Sequence, residues 1–121
     1  MNDGEIKSKV HSSMYHQLQD RGFASPVDVL MDIGVLTKEN YENWRFGKVP
    51  YLECVCTVNL KKLSVIMHEI RSYAIKNNFK PSWTYYGKWG VKNAKRPKLR
   101  FSKSDDEKIE ESYATHYLKQ K

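Results

Sequence analysis

The stretch after Asn59 constrains this chain more than any other. Leu60, Leu63, Ile66 or Met67, Ile70 and Tyr73 or Ala74 recur with a period near 3.6 over four turns. Lys61, Lys62, Glu69 and Arg71 lie off that stripe. A strand would need a period of two, so the pattern specifies a helix with one buried face. Asn77 and Asn78 are suitable C-terminal caps. The expected element runs from Asn59 to Asn78 and forms the spine of the core.

The remaining punctuation predicts further helices. Ile6, Val10, Met14 and Leu18 repeat at i+4, with Tyr15 beside them, and Gly22 stands where a left-handed cap belongs. Ser25-Pro26-Val27-Asp28 reads as an N-cap, a proline at the first helical position and an acid in the first turn. That short helix presents Val27, Leu30, Met31 and Ile33 and stops at Gly34. Thr37 caps the next, which carries Tyr41 and Trp44 and ends near Gly47, and Pro50 opens a turn with Tyr51, Leu52 and Val55. Ser104-Asp105-Asp106-Glu107 has the form of a capping box, followed by Ile109, Tyr113 and Tyr117 on one face with Ala114 and Leu118 alongside. The expected fold is mainly α: a compact bundle of four to five helices, with a basic aromatic loop or short strand between the last two long ones. The whole chain, 1–121, reads as a single domain, with 80–103 as an excursion within it.

Composition excludes several classes. With 121 residues, 40% apolar and 29% charged, the chain is of ordinary globular make-up. No apolar run reaches the ~20 residues of a membrane span. The first twenty residues lack the apolar block of a secretory signal. Two cysteines are too few for a disulfide scaffold. These features predict a cytoplasmic protein with no membrane association.

The charge becomes informative once it is placed along the chain. No acid occurs between Glu69 and Asp105, while that window holds Arg71, Lys76, Lys80, Lys88, Lys92, Lys95, Arg96, Lys98, Arg100 and Lys103. The rest of the chain carries 11 basic residues against 14 acidic ones. A mildly acidic protein with one strongly basic segment points to a polyanionic partner; the simpler alternative is a solvated loop kept soluble by its lysines. Pro81, Gly87, Gly90 and Pro97 break the segment, so Ser82–Trp89 offers at most two helical turns and Lys98–Ser102 a short strand. Trp83, Tyr85, Tyr86 and Trp89 are interleaved with the cations, as a surface that neutralises phosphates and stacks bases requires. Alternatively Trp83, Tyr86 and Trp89, spaced by three, face inward onto the long helix.

A second candidate lies between Val27 and Pro50. Its short helix, the Gly34-Val35 turn, the Thr37 cap and the helix carrying Trp44 resemble a helix-turn-helix. Trp44-Arg45-Phe46-Gly47-Lys48-Val49-Pro50 is similar to the end of the recognition helix in excisionase-type and repressor-type DNA-binding domains. The resemblance covers residues 26–50 and implies that Lys38, Glu39, Glu42, Asn43 and Arg45 face a major groove. The Gly34 to Trp44 spacing is about one residue longer than is usual in such units, and two short antiparallel helices packing their apolar faces would read the same way. Arg45 and Lys48 enter the candidate site on this ground. Across the chain, Val27-Asp28, Trp44-Arg45, Pro50-Tyr51-Leu52-Glu53, Pro81-Ser82-Trp83-Thr84, Lys88-Trp89-Gly90, Leu99-Arg100-Phe101-Ser102-Lys103 and Tyr113-Ala114-Thr115-His116 resemble a group of short uncharacterised bacterial and phage proteins. That resemblance implies a bacterial or phage source and carries no functional residue with it.

Catalytic and metal signals are weak. Cys54-Val55-Cys56 has one intervening residue where zinc sites have two to four, and buried apolar cysteines are the expectation. His11, His16, His68 and His116 lack i+4 pairing, and no phosphate loop or nucleophile elbow occurs. Asp28 and Asp32 are i+4 neighbours, but Asp28 is accounted for by the cap. The expectation is a non-catalytic nucleic-acid-binding protein, regulatory or phage-related, without a cofactor. Lys88, Lys92, Lys95, Arg96, Lys98, Arg100 and Lys103 would hold phosphates, Trp83, Tyr85, Tyr86 and Trp89 would stack, and Arg45 and Lys48 would assist. The alternative is an inhibitor or adaptor whose basic segment docks on an acidic protein surface.

Overall fold

The computed structural model describes residues 2–91 and 96–120. Five α-helices occur among them: α1 (Asp3–Arg21), α2 (Pro26–Asp32), α3 (Lys38–Arg45), α4 (Leu60–Lys76) and α5 (Glu107–Ala114), with a 3-10 turn at Leu52–Val55. Three short strands complete the elements: β1 (Phe23–Ala24), β2 (Lys80–Trp83) and β3 (Thr115–Leu118). The chain is thus mainly α, with a small sheet that the sequence reading did not anticipate.

Local chemistry sets the helix boundaries. Asn2, Ser25, Thr37 and Asn59 each accept a backbone N–H of the first turn of α1, α2, α3 and α4. Gly22 ends α1 at φ +78°, and its amide donates to the Leu18 carbonyl. α4 closes at Asn77, and Asn78 follows at φ +57°. Ile6, Val10, Met14 and Leu18 of α1 and Leu63, Ile66, Ile70 and Ala74 of α4 are buried in one core cluster. Two polar contacts fix the pairing of these helices at their surface, Lys62–Asp3 at 3.0 Å and His11–Glu69 at 3.3 Å.

A buried polar network ties α1 to α2. Gln17 Oε1 accepts from the Ser25 amide and from Arg21, while its amide nitrogen donates to Ser13 Oγ. Asp28 accepts from Arg21 and Ser25, and Asp32 from Ser13 and Gln17. The two carboxylates are therefore turned to separate protein partners, not to a common ligand.

The end of the chain departs most from expectation. Helix was expected through Leu118 with Ser104 as its cap. In the structure Asp106 is the cap, accepting from the Lys108 and Ile109 amides, and α5 ends at Ala114. Thr115–Leu118 then leaves as the central strand of an antiparallel sheet ordered β1-β3-β2. Leu118 pairs with both Phe23 and Lys80, so these contacts are remote in sequence. Tyr113 and Tyr117 are buried as expected, but Ile109 is 41% exposed. Glu110 is buried in its stead, because its carboxylate accepts from the amides of Phe101 and Ser102 and from Ser102 Oγ, at 2.6 to 2.8 Å. The cysteines also differ: Cys54 is exposed, and only Cys56 is partly buried, its thiol pushed up to about 12 chiefly by burial.

Candidate nucleic-acid interface

Within the described residues of the basic aromatic segment, 80–91 and 96–103, the chain forms strand β2 and a bridged region, with no helix. After β2, Thr84 donates to the Ala114 carbonyl at 3.0 Å, and the chain turns back on itself. Lys88 N–H donates to the Pro97 carbonyl and Leu99 N–H to the Tyr86 carbonyl, both at 2.9 Å, around an antiparallel bridge between Gly87 and Lys98. The short strand expected over Lys98–Ser102 is reduced to this one bridge. The bridge requires glycine: a Cβ on Gly87 would stand 2.8 Å from Arg96 Cβ. Lys92 and Lys95 lie outside the described residues.

An extended chain alternates its side chains, and this sorts the rings. Trp83 and Tyr85 point outward, 51% and 50% exposed, and meet edge to face with centroids 6.1 Å apart. Tyr86 points inward, 7% exposed, against Trp44 and Phe101. The inward trio expected from a spacing of three is therefore corrected: Tyr86 is buried, Trp89 is partly buried and Trp83 is not. The Tyr85 hydroxyl donates to the Arg96 carbonyl at 2.5 Å, which fixes that ring. Lys98 Nζ lies 5.8 Å from the Trp83 centroid.

A second cluster forms where the segment meets the end of α3. Trp44 is fully buried and its indole N–H donates to the Arg100 carbonyl at 2.8 Å, which anchors α3 beside residues 99–101. The guanidinium of Arg45 then lies over Trp89 at 4.6 Å and Tyr86 at 5.1 Å. Its Nε is buried without a hydrogen-bond partner. Trp89 also meets Tyr41 and Phe46 edge to face, and Lys48 Nζ lies 5.9 Å from the Phe46 ring. The stem of Lys88 runs across Gly47, whose φ is +74° and where a Cβ would come within 2.7 Å of Lys88 Cε. Sequence reasoning thus proposed two separate candidates that the fold joins. Phe46 and Tyr41 were missed as supports; the glycines at 47 and 90, both at positive φ, are the signals of this close approach.

Arg100 and Lys103 are used differently. Arg100 donates to the carbonyls of Ser102 and Lys103 and lies 5.3 Å from the Tyr51 centroid, so its head is largely committed to the protein. Lys103 is exposed beside a cavity of about 350 Å³ lined by Leu60, Met67, Ile109, Tyr113 and Glu53. Glu53 holds that corner by accepting from the Lys103 amide and the Tyr113 hydroxyl, and burial raises the Tyr113 hydroxyl well above its usual range. Of the remaining side chains in the helix-turn-helix-like stretch, Lys38 and Glu39 are exposed and Glu42 and Asn43 half-buried.

Electrostatics separates the face from the rest of the molecule. The four ion pairs among the described residues are His11–Glu69, Arg21–Asp28, Lys62–Asp3 and Arg100–Asp105, the last at 3.9 Å. Among the same residues Lys80, Lys88, Arg96 and Lys98 have none. Beneath the face, the Tyr86 hydroxyl is 2.8 Å from His116 Nε2. Burial pushes the Tyr86 hydroxyl up to about 12 and lowers the His116 imidazole below its ordinary 6.5. His116 also stacks on Phe23, at 5.6 Å. Among the described residues no three His, Cys, Asp or Glu side chains converge as a metal site would require, and no helix is long and apolar enough to cross a membrane. Comparison with family models, with curated proteins and with solved structures yields no match.

Proposed function

We propose that this chain is a non-catalytic nucleic-acid-binding protein, and that it binds through the folded basic aromatic segment and the adjoining end of α3. One observation carries the reading. Arg96 and Lys98 are exposed beside two half-exposed rings and have no carboxylate partner among the described residues, on a chain otherwise slightly acidic. Unpaired cations release condensed counterions when they meet phosphates, whereas cations paired to carboxylates gain little by exchanging partners. Lys88, Lys48 and Arg45 extend the positive surface; the role is a regulatory or phage-related one, and the resemblance of the sequence to short bacterial and phage proteins points to a bacterial or phage source.

The test is fluorescence anisotropy with labelled duplex DNA, single-stranded DNA and structured RNA, titrated from low to physiological salt. The reading expects affinity to fall steeply with salt, with a logarithmic slope of about −0.7 to −0.9 for each phosphate contacted. Absence of binding to every probe at low salt would contradict it and direct attention to an acidic protein surface as the partner.

A further inference from the structure

We infer that Trp83 and Tyr85 form a stacking platform for unpaired bases, so that the ligand class of this face is single-stranded nucleic acid. The inference rests on the nucleic-acid reading above and narrows it.

The fold leaves both rings out of its core. Half the surface of each faces solvent, although Tyr86 beside them is buried and the core has aromatic neighbours to offer. Neither ring is loose. Trp83 ends β2, which pairs with β3 from Lys80–Leu118 to Trp83–Thr115, and Tyr85 is held through its hydroxyl to the Arg96 carbonyl. A rigid exposed ring is organised before its ligand arrives. Strand addition at the outer edge of β2 gives no competing explanation, because Pro81 lies within it and has no N–H to donate.

The geometry selects among nucleic acids. In a duplex the faces of each base are covered by its stacked neighbours and only the edges reach the grooves. An indole face can therefore stack only on a base that is already splayed out. The 64° angle between the two rings makes a corner, in which one base lies flat on one ring with its edge toward the other. Lys98 fits the same scheme. Its ammonium lies 5.8 Å from the indole centroid in the free protein, on a flexible stem with no carboxylate among the described residues to hold it. A stacking base is worth more than one exposed cation–π contact, so the base takes the ring and Lys98 moves to the adjoining phosphate.

The experiment compares oligothymidylate, oligouridylate and a duplex of matched phosphate number at one salt concentration, using the wild type, Trp83→Leu and Trp83→Phe. Leucine keeps apolar bulk without a flat face, and phenylalanine restores one. The wild type is expected to prefer the single strands about tenfold, and Trp83→Leu to lose about that factor on them alone. The salt slope should stay unchanged, and Trp83→Phe should recover most of the loss. Indole fluorescence should be quenched on binding in the wild type and less in Trp83→Leu, which keeps only the fully buried Trp44 and the partly buried Trp89. Trp83 is half-exposed, so an unchanged melting temperature will show that the variant is folded. Equal affinity for duplex and single strand, or a Trp83→Leu variant that loses nothing, overturns the inference while leaving a salt-dependent nucleic-acid binder. Failure of every probe to bind at low salt removes the broader reading as well.

Discussion

The guanidinium carbon of Arg45 lies 4.6 Å from the centroid of the Trp89 indole, and the Trp89 amide donates to the Arg45 carbonyl at 2.6 Å. This double contact joins the end of α3 to the basic segment. A planar cation on an indole face gains electrostatically without needing a carboxylate, so positive charge is kept at the surface. Trp89→Ala removes the shelf and exposes the edges of Tyr41 and Phe46. It should cost about 2 kcal/mol in urea unfolding, less than the loss of a fully buried indole. A cost below about 0.5 kcal/mol would mean that the contact does not hold the segment.

Glu110 is the acceptor on which the turn at Phe101–Ser102 depends. Glu110→Ala leaves two buried amides unpaired and should destabilise the fold by about 3 kcal/mol, whereas Glu110→Gln retains one acceptor oxygen and should cost about half as much. Chemical denaturation of both variants checks the order. Equal effects would show that charge or volume, not the count of acceptors, governs the site.

Gly87 makes a steric prediction. A methyl group there meets Arg96 Cβ at 2.8 Å and Tyr85 Cε1 at 3.2 Å, and Arg96 Cβ cannot swing aside without moving its backbone. Gly87→Ala should separate the two halves of the bridge, cost about 1 to 3 kcal/mol, and weaken nucleic-acid binding in proportion to the displaced cations. Chemical shifts of the Lys88 and Leu99 amides, which donate across the bridge, report the separation directly.

Stability should depend on pH through His116. Burial lowers its folded-state pKa below 6.5, so as pH falls the unfolded chain takes up the proton first. The contribution is complete above 6.5, declines as pH drops from there toward the lowered value, and levels off beneath it. His116→Gln keeps an acceptor for the Tyr86 hydroxyl and cannot be protonated. Its stability profile should be flatter over that interval, as measured by denaturation at a series of pH values. A wild-type imidazole titrating above 6.5 by NMR would contradict the assignment.

Much of the helical frame was legible in the sequence because its signals are local. Asn59, Ser25, Thr37 and Gly22 end or begin helices by contacts within three or four residues, and the stripes of α1 and α4 bury one another. The sheet was not legible, since Phe23, Lys80 and Leu118 meet only in the fold. Thr115–Leu118 also continues an i+4 spacing from Ile109 and Tyr113, which reads as more helix until the pairing with β1 and β2 overrides it. Glu110 was unreadable for a related reason: a charge reads as surface unless the amides it will accept are known. In the candidate site the charge and the rings were visible. Which ring faces outward was not, because that depends on whether Trp83–Trp89 is extended or helical. The joining of Arg45 to Trp89 spans too much sequence for any local pattern to reveal.

The proposed function requires that one face, not net charge, makes the contacts with phosphate. The most direct measurement compares the salt dependence of oligonucleotide affinity in two variants of equal charge. One replaces Lys88, Arg96 and Lys98 with alanine, and the other replaces Lys7, Lys9 and Lys61, which are exposed on α1 and α4. The first variant should bind more weakly, with a logarithmic salt slope flattened by about 2, while the second stays close to the wild type. Equal losses in the two would contradict it, and would reduce the binding to the +7 charge of the chain as a whole.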